Sequence, residues 1–266
     1  MIEMRRSRVL KKLRAGEVVS CFKVNGEDIV AVEIAALSGF DCIWLCMEHI
    51  PNDWATIKAQ ILAAKVHDVD TIVRVPRGSY SDYIKPLEAD ATGIMVPHLM
   101  SEADVRTVVR QVRFHPEGRR PIDGGNQDGA YCMLPLPEYV QQANRERLVC
   151  IQIEDPEPMR ELAAIAKVPG IDMLFFGPGD FSHGIGSVGD WNAPALLEAR
   201  KKIPEAARAH GKFAGVPAAP EQIEEMVALG YRFLALGSDV GAVGRYCGDV
   251  IGEFRKRTGA QRGCKA

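Results

Sequence analysis

The sequence predicts a single (β/α)8 (TIM) barrel spanning residues 1–266, and three observations carry that prediction. Eight compact apolar runs alternate with eight longer patterns of helical period. No composition shift marks a domain boundary, and no repeat is evident beyond the strand–helix alternation. The length, 266 residues, suits a fold that commonly uses about 250. The alternative is a doubly wound open sheet, but no Gly-x-Gly-x-x-Gly opens a helix after the first strand.

Residues 1–14 are basic and lack the apolar stretch of a signal peptide. Their Val9, Leu10 and Leu13 form one stripe of a short helix, predicted to cap the barrel. Strands are predicted at 18–24, 42–47, 71–76, 93–99, 148–154, 173–177, 213–217 and 233–237. Several are apolar nearly throughout, as parallel strands covered on both faces should be. Helices are predicted at 27–37, 53–66, 81–88, 102–112, 157–166, 194–210 and 220–229, with a last one from about 240. The longest irregular stretch, 114–137, contains four glycines. Loops of that length are usually functional. It is expected to fold over the carboxyl-end face as a lid, with glycine N–H groups available to an anion.

Thirty-three basic residues against thirty-five acidic ones leave a net charge of −2, which gives no reason to invoke nucleic acid or an anionic membrane. No apolar run approaches the roughly 20 residues that span a bilayer. Seven cysteines, at 21, 42, 46, 132, 150, 247 and 264, show no CxxC spacing. Most are read as reduced, buried thiols of a cytoplasmic protein.

The carboxyl ends of barrel strands form one face, where catalytic groups collect. Glu154 closes the fifth run and Asp180 follows the sixth; Glu48-His49 follows the second, and Arg74 lies within the third. Two carboxylates, a histidine and an arginine on one face point to a metal-assisted enzyme acting on a small anion. Spacing alone also allows Glu154 and Asp180 to be caps of the following helices. His98 and His183 are further candidates for this face, whereas His67, His115 and His210 read as surface residues. Trp44 is assigned to the core.

Gly39-Phe-Asp41, Glu48-His49-Ile-Pro-Asn-Asp53, Val73-Arg-Val-Pro76, Gln152-Ile-Glu154 and Gly177-Pro-Gly-Asp-Phe-Ser182, in this order, resemble the class II pyruvate aldolases of the HpcH/HpaI family. The resemblance runs from about Gly16 to Tyr246. It implies cleavage of a 4-hydroxy-2-oxo acid to pyruvate and an aldehyde, with Mg²⁺, Mn²⁺ or Co²⁺ as cofactor. It also implies a homo-oligomer, commonly a hexamer, whose C-terminal helix is exchanged between subunits. By position, Glu154 and Asp180 would bind the metal, and Arg74 would meet the keto oxygen. The N–H groups of Gly179 and Asp180 would hold the substrate carboxylate, Gln152 would support the metal site, and His49 with Glu48 would assist the base. No Schiff-base lysine is required, and Lys23 and Lys85 lack the context for one.

The sequence departs from the family at two places. Where the family has Asp-Gly-Glu-His, this chain has Cys46-Met-Glu48-His49, so a thiol replaces the aspartate that orients the histidine. The loop after Arg120 also has its own sequence. Other readings of the same enolate chemistry are a decarboxylase or a CoA-ester lyase, for which Arg119-Arg120 would offer the phosphate patch. A barrel that binds ligand without turnover is the non-enzymatic alternative.

Overall fold

The computed structural model describes residues 2–260, so Cys264 lies outside it. Eight parallel strands close in sequence order: β1 Val19–Val24, β2 Cys42–Cys46, β3 Asp70–Arg74, β4 Gly93–Val96, β5 Leu148–Ile153, β6 Met173–Phe176, β7 Phe213–Pro217 and β8 Phe233–Ser238. β1 pairs with β8, which completes the barrel.

Each strand buries both faces, for different reasons. Successive side chains alternate sides. On β2, Ile43 and Leu45 pack in the layer between strands and helices, while Cys42 and Trp44 pack inside the barrel with Phe175, Met95 and Phe233. Helix α1, Arg8–Arg14, plugs the amino end by adding Val9, Leu10 and Leu13 to that inner cluster. Asp70 fixes the plug: its carboxylate accepts from Ser7 Oγ at 2.8 Å and from the Val9 N–H at 2.9 Å, and pairs with Arg5. The capping helix read from the sequence therefore stands.

The stretch 114–137 is not a lid. It follows helix α5, Glu102–Val112, rather than β4, so it lies at the amino-end face, opposite the mouth. Asp128 donates its N–H to the Glu88 carbonyl, and Phe114, Leu134 and Tyr139 pack with Met4. Its glycines serve packing: a Cβ on Gly129 would lie 2.5 Å from the Gly124 carbonyl oxygen. Its end belongs to an unpredicted helix, α6, Leu136–Glu146. Arg120 is buried there against Asp128 and Tyr139, so of the proposed phosphate patch only Arg119 is exposed.

The final helix, α11, Asp239–Thr258, has no buried residue. Its Val240, Val243, Val250, Ile251 and Phe254 are all exposed. It is tied to the barrel at its first residue, where Asp239 accepts from the N–H groups of Asn25 and Gly26. No helix among the described residues is long and apolar enough to cross a membrane.

Candidate active site

The two-residue period of the strands sends Lys23, Cys46, Arg74, Gln152 and Glu154 to the lumen at its carboxyl end. Glu48, two residues beyond β2, ties the group together. Its Oε2 lies 2.9 Å from Arg74 Nε and 3.3 Å from His49 Nε2, and its Oε1 lies 3.4 Å from His98 Nε2. The Arg74 contact is an ion pair rather than an aligned hydrogen bond.

Arg74 is 4% exposed and needs more than one partner to offset its desolvation. Its Nη2 donates to Cys46 Sγ at 3.2 Å, and its guanidinium carbon sits 5.0 Å from the centre of the Trp44 ring. Lys23 Nζ lies over the same ring, also at 5.0 Å. Burial, then the charge of Arg74, lowers the Lys23 pKa. Trp44 is in the core as expected, but it also carries both cations.

Glu154 is 1% exposed and accepts from the His98 N–H at 3.1 Å and from the Gln152 side chain. Burial pushes its carboxyl up to about 7; the charge of His98 opposes this, and those of Glu48 and Asp180 reinforce it. His98 is held by Asp155, with Nδ1 2.9 Å from Oδ2. Burial works against its charged form, but the Asp155 hydrogen bond and the surrounding carboxylates outweigh it and raise the pKa.

Asp180 occupies another position. Gly177 to Asp180 opens a short helix, α8, Pro178–Gly184, with Gly177 as N-cap. Asp180 is exposed in the first turn, near enough to raise the Glu154 pKa but outside the Glu48–His98–Glu154 cluster. The N–H groups of Gly179 and Asp180 belong to that turn, which has no intrahelical acceptors for them. A Cβ at Gly179 would meet nothing within 4 Å, whereas one at Gly177 would sit 2.6 Å from Glu154 Cβ. Gly177 is thus required by the close approach of Glu154, a role the sequence did not reveal.

The donor set fits a divalent ion. Single ligand atoms of Glu48, His98 and Glu154 lie within 4.8 Å of one another, and the buried Oε1 of Gln152 has no hydrogen-bond partner. Two desolvated carboxylates at this spacing call for a cation. Beside them, a cavity of about 590 Å³ opens at the ends of β7 and β8, lined by Lys23, Trp44, Trp191, Arg200 and Arg245.

His49 is 54% exposed on its side chain and meets Glu48, not Cys46. The thiol that replaces the family aspartate instead faces Arg74. An aspartate at 46 would give Nη2 of Arg74 a charged partner of its own, so that Glu48, now on Nε, shares less of the guanidinium and is freer to orient His49. Cys46→Asp should therefore raise turnover, while Cys46→Ser, which keeps a small acceptor, should be near neutral. Steady-state kinetics on both variants checks this, and a large loss in Cys46→Ser would mean that the thiol itself takes part.

The family model for HpcH/HpaI aldolase/citrate lyase matches residues 20–245. A hydroxypyruvate/pyruvate aldolase of Delftia acidovorans is 31% identical over 226 residues, 85% of this chain and 84% of that one. A 5-keto-4-deoxy-D-glucarate aldolase of Enterobacter sp. is 30% identical, over 92% of this chain and 95% of its own. The structure of an HpcH/HpaI aldolase from Desulfitobacterium hafniense superposes with a TM-score of 0.87 at 27% identity, covering 92% of this chain and 96% of that one. Fold, sequence span and relatives agree, and the chain is a member of the HpcH/HpaI aldolase/citrate lyase family.

Proposed function

We propose that this protein is a divalent-metal-dependent aldolase that cleaves a 4-hydroxy-2-oxo acid to pyruvate and an aldehyde. The observation that carries the reading is the convergence of Arg74, Glu48, His98 and Glu154 at the barrel mouth, beside the free first-turn N–H groups of α8. When bound, Mg²⁺, Mn²⁺ or Co²⁺ supplies Lewis acidity toward the substrate's carboxylate and keto oxygens. Glu154 would hold the ion, with Asp180 meeting it from the first turn of α8, and Gln152 would fix the Glu154 carboxylate. The Gly179 and Asp180 N–H groups receive the substrate carboxylate. Arg74 donates to the keto oxygen, where negative charge grows as the C3–C4 bond breaks. With Nε2–H of His49 directed at Glu48, its Nδ1 is left to assist removal of the C4 hydroxyl proton. The cation-lined cavity next to Trp44 gives room for the aldehyde half.

The test is a screen of 2-oxo acids for pyruvate release, with and without EDTA. Metal-dependent release of pyruvate from a 4-hydroxy-2-oxo acid supports the reading. Release of CO2 together with pyruvate from a 2-oxo diacid, with no aldehyde formed, would favour the decarboxylase, and ligand binding without turnover would favour the binding barrel. The burial of Arg120 leaves the CoA-ester reading with Arg119 alone of its phosphate patch.

The same reading makes the protein a homo-oligomer, and we take it to be a hexamer in which α11 packs on a neighbour. Five exposed apolar side chains on one helix are a surface that a partner would cover. Light scattering at micromolar concentration should give the hexamer mass, and Val243→Glu with Phe254→Glu should reduce it; a wild-type monomer would reject the assignment. Four free buried cysteines, Cys21, Cys42, Cys46 and Cys150, favour a reducing cytoplasm.

A further inference from the structure

We propose that His98 Nε2 is a direct ligand of the divalent ion, so that the site has a nitrogen donor and prefers Co²⁺ to Mg²⁺. The inference rests on the metal-dependent reading above and adds a residue to it.

Three independent features converge on this atom. The first is aim: Nε2 lies 3.4 Å from Glu48 Oε1 and 3.7 Å from Glu154 Oε1, so it completes a triangle of donor atoms. Oxygen and nitrogen ligands about 2.0–2.2 Å from one ion stand roughly 3 Å apart, so only a small contraction is needed. The second is the other side of the ring. Nδ1 is 2.9 Å from Asp155 Oδ2, an arrangement that holds a proton on Nδ1 and makes Nε2 the nitrogen that gives up its own proton to an ion. A carboxylate behind an imidazole in this way is the usual support of a metal-bound histidine. The third is the backbone. His98 has a φ of +51°, which a residue with a side chain rarely adopts, and its N–H is bonded to Glu154. That conformation turns the imidazole inward beside the very carboxylate it shares the ion with.

The chemistry of such a set differs from one of oxygens alone. Mg²⁺ and Mn²⁺ favour carboxylates and water, whereas a nitrogen donor favours ions later in the first row, Co²⁺ among them. Asp155 is then a positioning residue, acting on the ion only through the ring it holds.

The experiment is titration of the metal-free full-length protein with Co²⁺ and, separately, Mg²⁺, for wild type, His98→Gln, Asp155→Asn and Glu154→Gln. His98→Gln should weaken Co²⁺ binding by more than about tenfold while changing Mg²⁺ binding by less than about threefold, and Asp155→Asn should fall between. With Mn²⁺ bound, electron spin-echo modulation should show an imidazole nitrogen in wild type that is missing in His98→Gln. Circular dichroism separates misfolding from lost binding, and the spin-echo signal of wild type needs no variant at all. Unchanged or tighter Co²⁺ binding in His98→Gln, or no imidazole signal in wild type, overturns the inference. In that case the ring is a counter-cation to the two carboxylates. Absence of any divalent binding in wild type overturns the metal reading itself, and binding in wild type lost only in Glu154→Gln overturns the role of His98 alone.

Discussion

Glu154→Gln should abolish divalent-ion binding and all metal-dependent turnover, and leave the barrel folded. The amide keeps the shape of the side chain and an acceptor for the His98 N–H, but not the charge that an ion requires. Its effect on stability has a defined sign. The folded-state pKa of Glu154, about 7, lies above the ordinary 4.5. Below 4.5 the carboxyl is protonated in both states. As pH rises from there through 7, the unfolded chain ionises first, so the metal-free folded state progressively loses stability. Metal-free Glu154→Gln should therefore melt higher than metal-free wild type at pH 8, and the difference should vanish toward pH 4.5. Added Mn²⁺ should raise the wild-type Tm and not that of the variant. Calorimetry on both forms checks this, and a metal-induced shift in the variant would mean that the ion binds elsewhere.

Arg74→Lys should lower kcat by about 10²–10³, the usual cost of removing a donor aimed at developing negative charge. The geometry makes the exchange severe. One guanidinium meets Glu48 through Nε and Cys46 through Nη2, and rests on Trp44 with its flat face. An ammonium is a point donor and cannot make all three contacts. Because the keto oxygen gains charge only as the bond breaks, the loss should fall on kcat more than on pyruvate affinity. Equal kcat in the two proteins would reduce Arg74 to a permanent partner of Glu48.

The strands were legible because parallel strands buried on both faces appear as short apolar runs, and all eight lie within three residues of their expected bounds. Helix α6 was hidden for the opposite reason. Its Pro135-Leu-Pro137 start follows a glycine-rich stretch and its surface is polar, so only contacts with Met4 and Arg120 reveal what it packs against. Glu48, Arg74 and Glu154 stood out as polar residues at the ends of apolar runs. The pairing of His98 with Asp155 spans 57 positions, and no local pattern encodes it. Asp155 itself was masked by its neighbour Glu154, although two adjacent acids after a strand must turn to different sides. The error over 114–137 was one of topology: a segment that follows a helix of the barrel belongs to the end opposite the mouth.

The ring shared by Lys23 and Arg74 has a practical side. Trp44 is 6% exposed, one of three tryptophans, and has two positive charges at 5.0 Å. An indole's emission responds to the electric field across it, and a cation held over its face is part of that field. Any anion that draws either cation aside will change the colour or intensity of the light that Trp44 emits. The molecule thus carries its own unlabelled probe, able to register ligands that are never turned over, with Trp44→Phe as the control that leaves only Trp54 and Trp191 emitting.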